Sequence, residues 1–432
     1  MNDRLAAAKR TTRQRIVRGI ADILNEANKE AKRDESLAAA DDEVGPRFRG
    51  NFDQEVILHF ADPPTNLYQV VPWLRPLEAL DQNHRVLIVT RSARSLSELS
   101  GLTSLPAVDT PTIGDFEALV DASNFKVCLY VNQFRSNFQA MRMPDMFHVN
   151  MSHGESEKLY MASNQAKAYD YMLVAGDAAV DRYARNLISY DLDRLIKIGR
   201  PGLDYVTSVL PSSDRPTLCY APTWEGDRPS MRYSSVPTFG VELLRRLLAS
   251  KQYRVIFRPH PFTGKHSAAA QRGIEAIREL MAAAATDDPH GGHQVNESDE
   301  FNDLAAGVDL LVCDNSAVLV DFLATGRPMI LTEPDAESVP LPTGGVADAA
   351  YRVSASDVET VEELLTVAFG DDPLAAARGE VVDRYFGDVA PGAATGRFLQ
   401  AIDDLIVRRD DLVAAKYRAL EGSPEVAAPA AS

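Results

Sequence analysis

The sequence predicts an α/β protein of two lobes, each built around a parallel sheet. Three observations lead there. Short β-branched or aromatic runs alternate with helical patterns along most of the chain, the mark of βαβ units. The alternation is broken once, by the cluster Leu210-Pro211-Ser212-Ser213-Asp214-Arg215-Pro216, and then restarts. Finally, 432 residues are too many for one ordinary domain but suit two lobes of roughly 200 residues each.

In the first lobe, residues 55–60, 85–90 and 126–131 read as buried strands, each followed by a polar or helical stretch. Residues 145–151, 171–174 and 195–198 continue the series. In the second lobe, residues 217–221, 254–258, 310–313 and 328–331 read as strands, and 241–249, 271–285 and 317–324 as helices. A charge-rich helix over 395–420 is placed to cross back onto the first lobe, and the Ala/Pro tail after Gly422 reads as disordered. The expected division is therefore a basic N-terminal helix and polar linker (1–50), a first lobe (51–212), a second lobe (213–392) and a C-terminal helix with its tail (393–432).

A net charge of −17 argues against a general nucleic-acid binder, which needs a broad basic face. The three cysteines, Cys128, Cys219 and Cys313, lie far apart in apolar runs, a reduced, cytoplasmic pattern with neither a disulfide framework nor a CxxC metal signature. No stretch reaches the roughly 20 apolar residues of a membrane span, and the N-terminus lacks the apolar core of a secretion signal. Residues 1–33 break the acidic trend. They carry nine Lys/Arg against four acids, with Ile16, Ile20, Ile23 and Leu24 at helical spacing. A basic amphipathic helix of this kind suits peripheral contact with the anionic inner face of a membrane. A solvated helix packed on the body, or an oligomer contact, is the plainer reading.

Ligands of open parallel sheets sit beyond the carboxyl ends of the strands, and unusual polar residues gather at four such ends. His153-Gly154 closes the strand at 145–151, where an imidazole free to face a cleft suits general base work. A loop histidine capping the next helix is the bland alternative. Arg258-Pro259-His260-Pro261 closes another strand; two prolines stiffen the backbone around a cation and an imidazole, a good grip for a phosphate oxyanion. It also reads as a stiff turn. Asp314-Asn315-Ser316 opens a helix, where outward N–H groups and the helix dipole favour a diphosphate. Simple N-capping is compatible with that. Asp321, about one and a half turns in, is placed to reach a donor group or to be an ordinary polar position. Thr223, in Tyr220-Ala221-Pro222-Thr223-Trp224, offers a hydroxyl, while Trp224 is explained by packing alone. Residues 226–237 form a Pro/Ser-rich loop suited to closing over a substrate. HExxH, a phosphate-binding lysine loop and a GxSxG elbow are absent, and His290-Gly-Gly-His293 reads as a surface pair rather than a metal site.

These motifs, taken in order, resemble the CDP-glycerol glycerophosphotransferase family, which includes polymerases and primases of teichoic acid. The likeness rests on His153-Gly154, Tyr220–Trp224, Arg258–Pro261, Asp314–Val318 with Asp321, and Arg327-Pro328-Met329. It implies a GT-B fold, two Rossmann-like lobes with parallel sheets facing a central cleft. It further implies a transferase that moves glycerol phosphate, or a related polyol phosphate, from a CDP-activated alcohol to an envelope or capsular acceptor hydroxyl, releasing CMP and needing no cofactor. His153 and His260 would be catalytic. Arg258, Thr223, Asn315, Ser316, Asp314 and Asp321 would hold the nucleotide diphosphate donor, with Gly154 and Lys158 on the acceptor side. The chain departs from the family in having Ser152 before His-Gly and Glu155-Ser156 after it, and acids beside the base are expected to raise its pKa. A UDP-sugar glycosyltransferase or epimerase of the same shape, and an inactive scaffold, are the competing readings.

Overall fold

The computed structural model describes residues 52–154, 162–226, 232–297, 300–333 and 345–421. The basic helix expected within 1–33, Lys158 and the tail lie outside them, as does part of the loop 226–237.

The first sheet has seven strands: β1 (Val56–Phe60), β2 (Val86–Thr90), β3 (Ala107–Asp109), β4 (Val127–Tyr130), β5 (Phe147–Asn150), β6 (Tyr171–Val174) and β7 (Leu195–Lys197). Their order is β3-β2-β1-β4-β5-β6-β7, with every pairing parallel. The second sheet holds β8 (Thr217–Ala221), β9 (Arg254–Phe257), β10 (Gln294–Val295), β11 (Leu310–Cys313), β12 (Met329–Thr332) and β13 (Tyr351–Val353). Its order is β10-β9-β8-β11-β12-β13, again all parallel. Strands β1, β2, β4 and β6 and strands β8, β9, β11 and β12 are buried at every position, because helices cover both faces of a parallel sheet. Their sequences are accordingly near-continuous apolar runs, which is what made them readable.

Three edge strands, β3, β10 and β13, were not expected. Each has two or three residues, and β10 is exposed at both, so none carries an apolar run long enough to stand out. The helices expected in the second lobe occur as Gly240–Ala249, Ala268–Asp287 and Ala317–Leu323.

In both sheets the winding reverses once, between β1 and β4 and between β8 and β11. Such a switch point splays the connections apart and opens a crevice at the carboxyl ends of the strands.

The final helix, Ala393–Glu421, returns to the first sheet. Phe398, Ile402 and Leu405 share one apolar cluster with Val56, Leu58 and Val127. Polar contacts fix its register: His84 bridges Glu55 at 2.9 Å and Asp403 at 2.6 Å, and Lys126 lies 2.7 Å from Glu55 and 2.8 Å from Asp410. The lobes also meet where Ala175 and Ala178 pack with Tyr385 and Phe386. A Cβ on Gly176 would lie 2.5 Å from the Tyr385 carbonyl oxygen, so only glycine permits that approach.

Candidate active site

The first-lobe edge is built on β1, β4 and β5. Beyond β5, Ser152 takes a left-handed backbone (φ 58°), uncommon for a residue with a Cβ and held only when the surroundings impose it. Here its N–H donates to Asn150 Oδ1 at 2.9 Å, its hydroxyl donates to the Gly154 carbonyl at 2.9 Å, and its own carbonyl accepts from the Trp73 indole at 2.8 Å. The turn presents His153, whose side of the loop is exposed. His153 Nδ1 sits 2.9 Å from the Val131 carbonyl oxygen. A carbonyl only accepts, so Nδ1 carries the proton and the neutral ring keeps its lone pair on Nε2. The residue is exposed at the turn, yet the protein packed against the inner side of its ring holds its pKa below the ordinary value; the Val131 hydrogen bond opposes this and the Arg200 cation adds to it. The direction is opposite to that expected from the acids that follow in sequence, because desolvation is the larger effect. Gly154 adjoins Arg200, at 4.0 Å from where its Cβ would stand.

Beside His153 lies a cavity of about 470 Å³. Its wall at the β1/β4 switch point is a network centred on Asn132, which donates to Asp62 at 3.0 Å and to Gln69 at 2.6 Å. Asn66 donates to Asp62 at 2.7 Å, and Asn150 to the Asn132 carbonyl at 2.7 Å. Sequence reasoning missed these residues: one carboxylate and four amides, spread singly over a strand end, a short 3-10 turn and loops, without period or motif. Their one signal is position, immediately past the ends of β1, β4 and β5.

On the second lobe, the register pairs Phe257 with Tyr220 and Cys313 with Ala221. The segments carrying Thr223, Arg258, His260, Asn315 and Ser316 therefore leave the sheet side by side at one edge. Arg258 donates to Asn296 at 3.1 Å. His260 Nδ1 accepts the Phe262 N–H at 3.1 Å, so the neutral ring has its proton on Nε2. The ring stacks on Trp224 with centroids 6.3 Å apart and planes at 25°. Trp224 thus packs as expected, against His260, Phe262 and His266. Ser316 Oγ is enclosed without a hydrogen-bond partner, at the start of the helix Ala317–Leu323.

Two expected donor ligands are turned elsewhere. Asp314 is completely buried. Its carboxylate accepts from Thr223 N at 2.7 Å, Ser235 N at 3.1 Å and the Thr332 hydroxyl, tying two loops to the end of β12. Burial raises its pKa to about 6, against the pull of those donors. Asp321 faces the first lobe, 2.8 Å from Arg200, and so bridges the lobes. Glu225, unremarked in the sequence, plays a similar tying role, accepting from Gly264 N at 3.0 Å and His266 N at 2.7 Å. The pair read as surface histidines is also split: His293 is buried and accepts from Val255 N at 3.1 Å. Among the described residues no three His, Cys, Asp or Glu group to hold a metal ion, and no helix is long and apolar enough to cross a membrane.

The lobes close on one another at this site. A small recess is shared by His153, Gly154 and Arg200 of the first lobe and Asn302 of the second. A family model, CDP-glycerol:poly(glycerophosphate) glycerophosphotransferase, matches residues 141–402. The chain belongs to that family. The match takes in both histidine motifs, strands β5, β6 and β7 and the whole second sheet, while β1 to β4 fall outside it. No curated protein matches the chain in sequence. Among solved structures, the wall teichoic acid polymerase TagF soaked with CDPG is similar at 13% identity and a TM-score of 0.55, covering 83% of this chain and 90% of that one. A glycosyltransferase from Rickettsia africae is similar at 11% identity and a TM-score of 0.51 (82% and 99% covered), as is S. aureus MnaA with UDP at 12% and 0.51 (79% and 94%). These likenesses show the two-lobed GT-B fold. This glycerophosphotransferase-family chain thus sets two differently protonated imidazoles at the carboxyl ends of its two sheets.

Proposed function

We propose that the chain transfers glycerol phosphate, or a related polyol phosphate, from a CDP-activated alcohol to an acceptor hydroxyl of an envelope or capsular polymer, working in the cytoplasm and asking for no cofactor. The observation that carries the reading is the Nδ1–H contact of His153 with the Val131 carbonyl, which leaves the Nε2 lone pair as the proton acceptor.

In this reading the acceptor oxygen attacks the β-phosphorus while its proton passes to His153 Nε2. The new P–O bond forms as the bond to the CMP oxygen breaks, and CMP leaves. Charge gathers on the phosphoryl oxygens, so fixed donors are needed in advance. Arg258, the His260 Nε2–H, the Ser316 hydroxyl and the N–H groups at Asn315 and Ser316 stand at the edge where a diphosphate would lie. Thr223 contributes through its loop, and Asp314 by holding that loop rather than by touching the donor. Asp321 acts through Arg200. Lys158 and Gly154 belong to the acceptor side of the proposal, as does membrane contact through residues 1–33.

The test is nucleotide release. With CDP-glycerol and an envelope acceptor preparation, CMP should appear, and UDP-sugars should yield no UDP. UDP release without CMP would replace the reading with a sugar transferase, and release of neither would leave a scaffold.

A further inference from the structure

Resting on the transferase reading, the lining of the first-lobe cavity points to the chemistry of the acceptor. Six of the residues around it are Asn or Gln, and two more are Ser. An amide both donates and accepts, as does every hydroxyl of a polyol, whereas a phosphate dianion only accepts. Asp62 is 3% exposed, with its carboxylate at the cavity wall. Asn66 and Asn132 each give it one hydrogen bond, leaving accepting capacity for a ligand hydroxyl. The same carboxylate in a place of low polarisability repels a phosphate. Arg182, on the β6 side, is the one Arg or Lys among the described lining residues, and it stands against the one carboxylate, Asp62.

Next to His153 the Tyr68 ring stands edge-on at 6.1 Å, 55% exposed, with its hydroxyl accepting from Gln69 Nε2 at 3.2 Å. That gives a held aromatic surface beside the proposed base, suited to the C–H face of a pyranose ring. A cavity of this volume that sets amides among apolar side chains, with Phe134 and Tyr183 in its lining and Tyr68 outside it beside the base, is an arrangement that grips an uncharged ring polyol.

We infer that this cavity binds the terminal acceptor unit as a neutral sugar residue and discriminates against a phosphate-bearing terminus. One hydroxyl of that sugar lies at His153 Nε2, so the product is a sugar–glycerol phosphodiester, the proton rests on His153, and CMP departs.

Saturation-transfer NMR on the full chain tests this with N-acetylglucosamine and glucose against glucose 6-phosphate and glycerol 3-phosphate. The neutral sugars should bind, and the phosphorylated compounds about tenfold or more weakly. Tyr68→Ala and Asn66→Ala, both at positions outside the apolar core, should each weaken the sugar about tenfold while their melting curves stay cooperative. Equal or tighter binding of the phosphorylated compounds, absence of sugar binding, or sugar binding indifferent to both substitutions would overturn the inference. CDP titrated into the same wild-type sample separates the two ideas. CDP binding with no sugar preference defeats this inference alone, and sugar preference with no CDP binding defeats the transferase reading.

Discussion

His153 follows β5 of the first sheet and His260 follows β9 of the second, on opposite sides of their sheets' switch points, and their environments protonate them in opposite senses. His153 meets a carbonyl through Nδ1 and therefore offers a lone pair at Nε2. His260 meets a backbone N–H through Nδ1 and therefore offers a proton at Nε2. One strand end thus presents a base and the other a hydrogen-bond donor, with the same side chain. In each case the partner is a backbone group, Val131 on the neighbouring strand's exit and Phe262 two residues along the loop. Role is set by the fold around the ring, which a motif alone does not state.

The largest expected effect comes from removing the base. His153→Ala should cut CMP release by between about 10²- and 10⁴-fold with little change in the KM for donor, and His153→Gln should not recover it, because an amide takes up no proton. His260→Ala should cost about 10²- to 10³-fold, the usual loss for one oxyanion donor. His260→Gln should restore part of that, since its Nε2–H₂ still donates. Steady-state kinetics on the four variants decides the matter. If glutamine rescues at 153 and not at 260, the two assignments are reversed.

How much of this was legible follows from the same contrast. The buried strands were visible because a parallel sheet covered on both faces demands unbroken apolar runs, and the polar residues after them marked the site edge. Which way a side chain turns at that edge was not visible. Asp314 follows β11 as directly as Asn315 and Ser316 do, yet it points inward to bind Thr223, Ser235 and Thr332. Asp321 was read on its own helix, whereas its partner Arg200 lies on the other lobe and depends on how the lobes meet. Asp62, Asn66, Gln69 and Asn132 form a network only because β1 and β4 are neighbours across a switch in strand order, a fact of topology rather than of local sequence.

The lobes also differ in how acid acts on them. His59 in the first lobe is buried between Phe116 and Tyr130, with the Asn137 side chain close enough to oppose part of the effect of burial. Burial pushes its pKa down to about 3. Between that value and 6.5 the unfolded chain binds a proton that the folded chain does not. Stability from this group is therefore complete above pH 6.5 and is lost as pH falls toward 3. Asp314 in the second lobe acts in reverse. Between 3.8 and about 6 the folded chain keeps a proton that the unfolded chain has released, so this group's contribution falls as pH rises through that window. Calorimetry from pH 7 to 4 should show His59→Leu losing a few kcal/mol less than wild type. An unchanged acid sensitivity would mean that His59 is hydrated or paired in solution.

The smallest effect is the most specific to the meeting of the two lobes. Arg200 and Asp321 form one ion pair, and both act on His153: the arginine lowers its pKa and the aspartate raises it. Activity requires the neutral base, so the rate should fall as pH drops through the His153 pKa, below 6.5. Arg200→Met removes the nearby cation and should move that acid limb to higher pH. Asp321→Asn should move it to lower pH, each by roughly half a unit, as befits a partly screened charge. A pure loss of lobe contact would depress the rate at every pH and leave the limb in place. Opposite shifts on the kcat/KM profile therefore identify an electrostatic pair that tunes the base, and a limb that stays in place in both variants would show that the pair serves only to hold the lobes together.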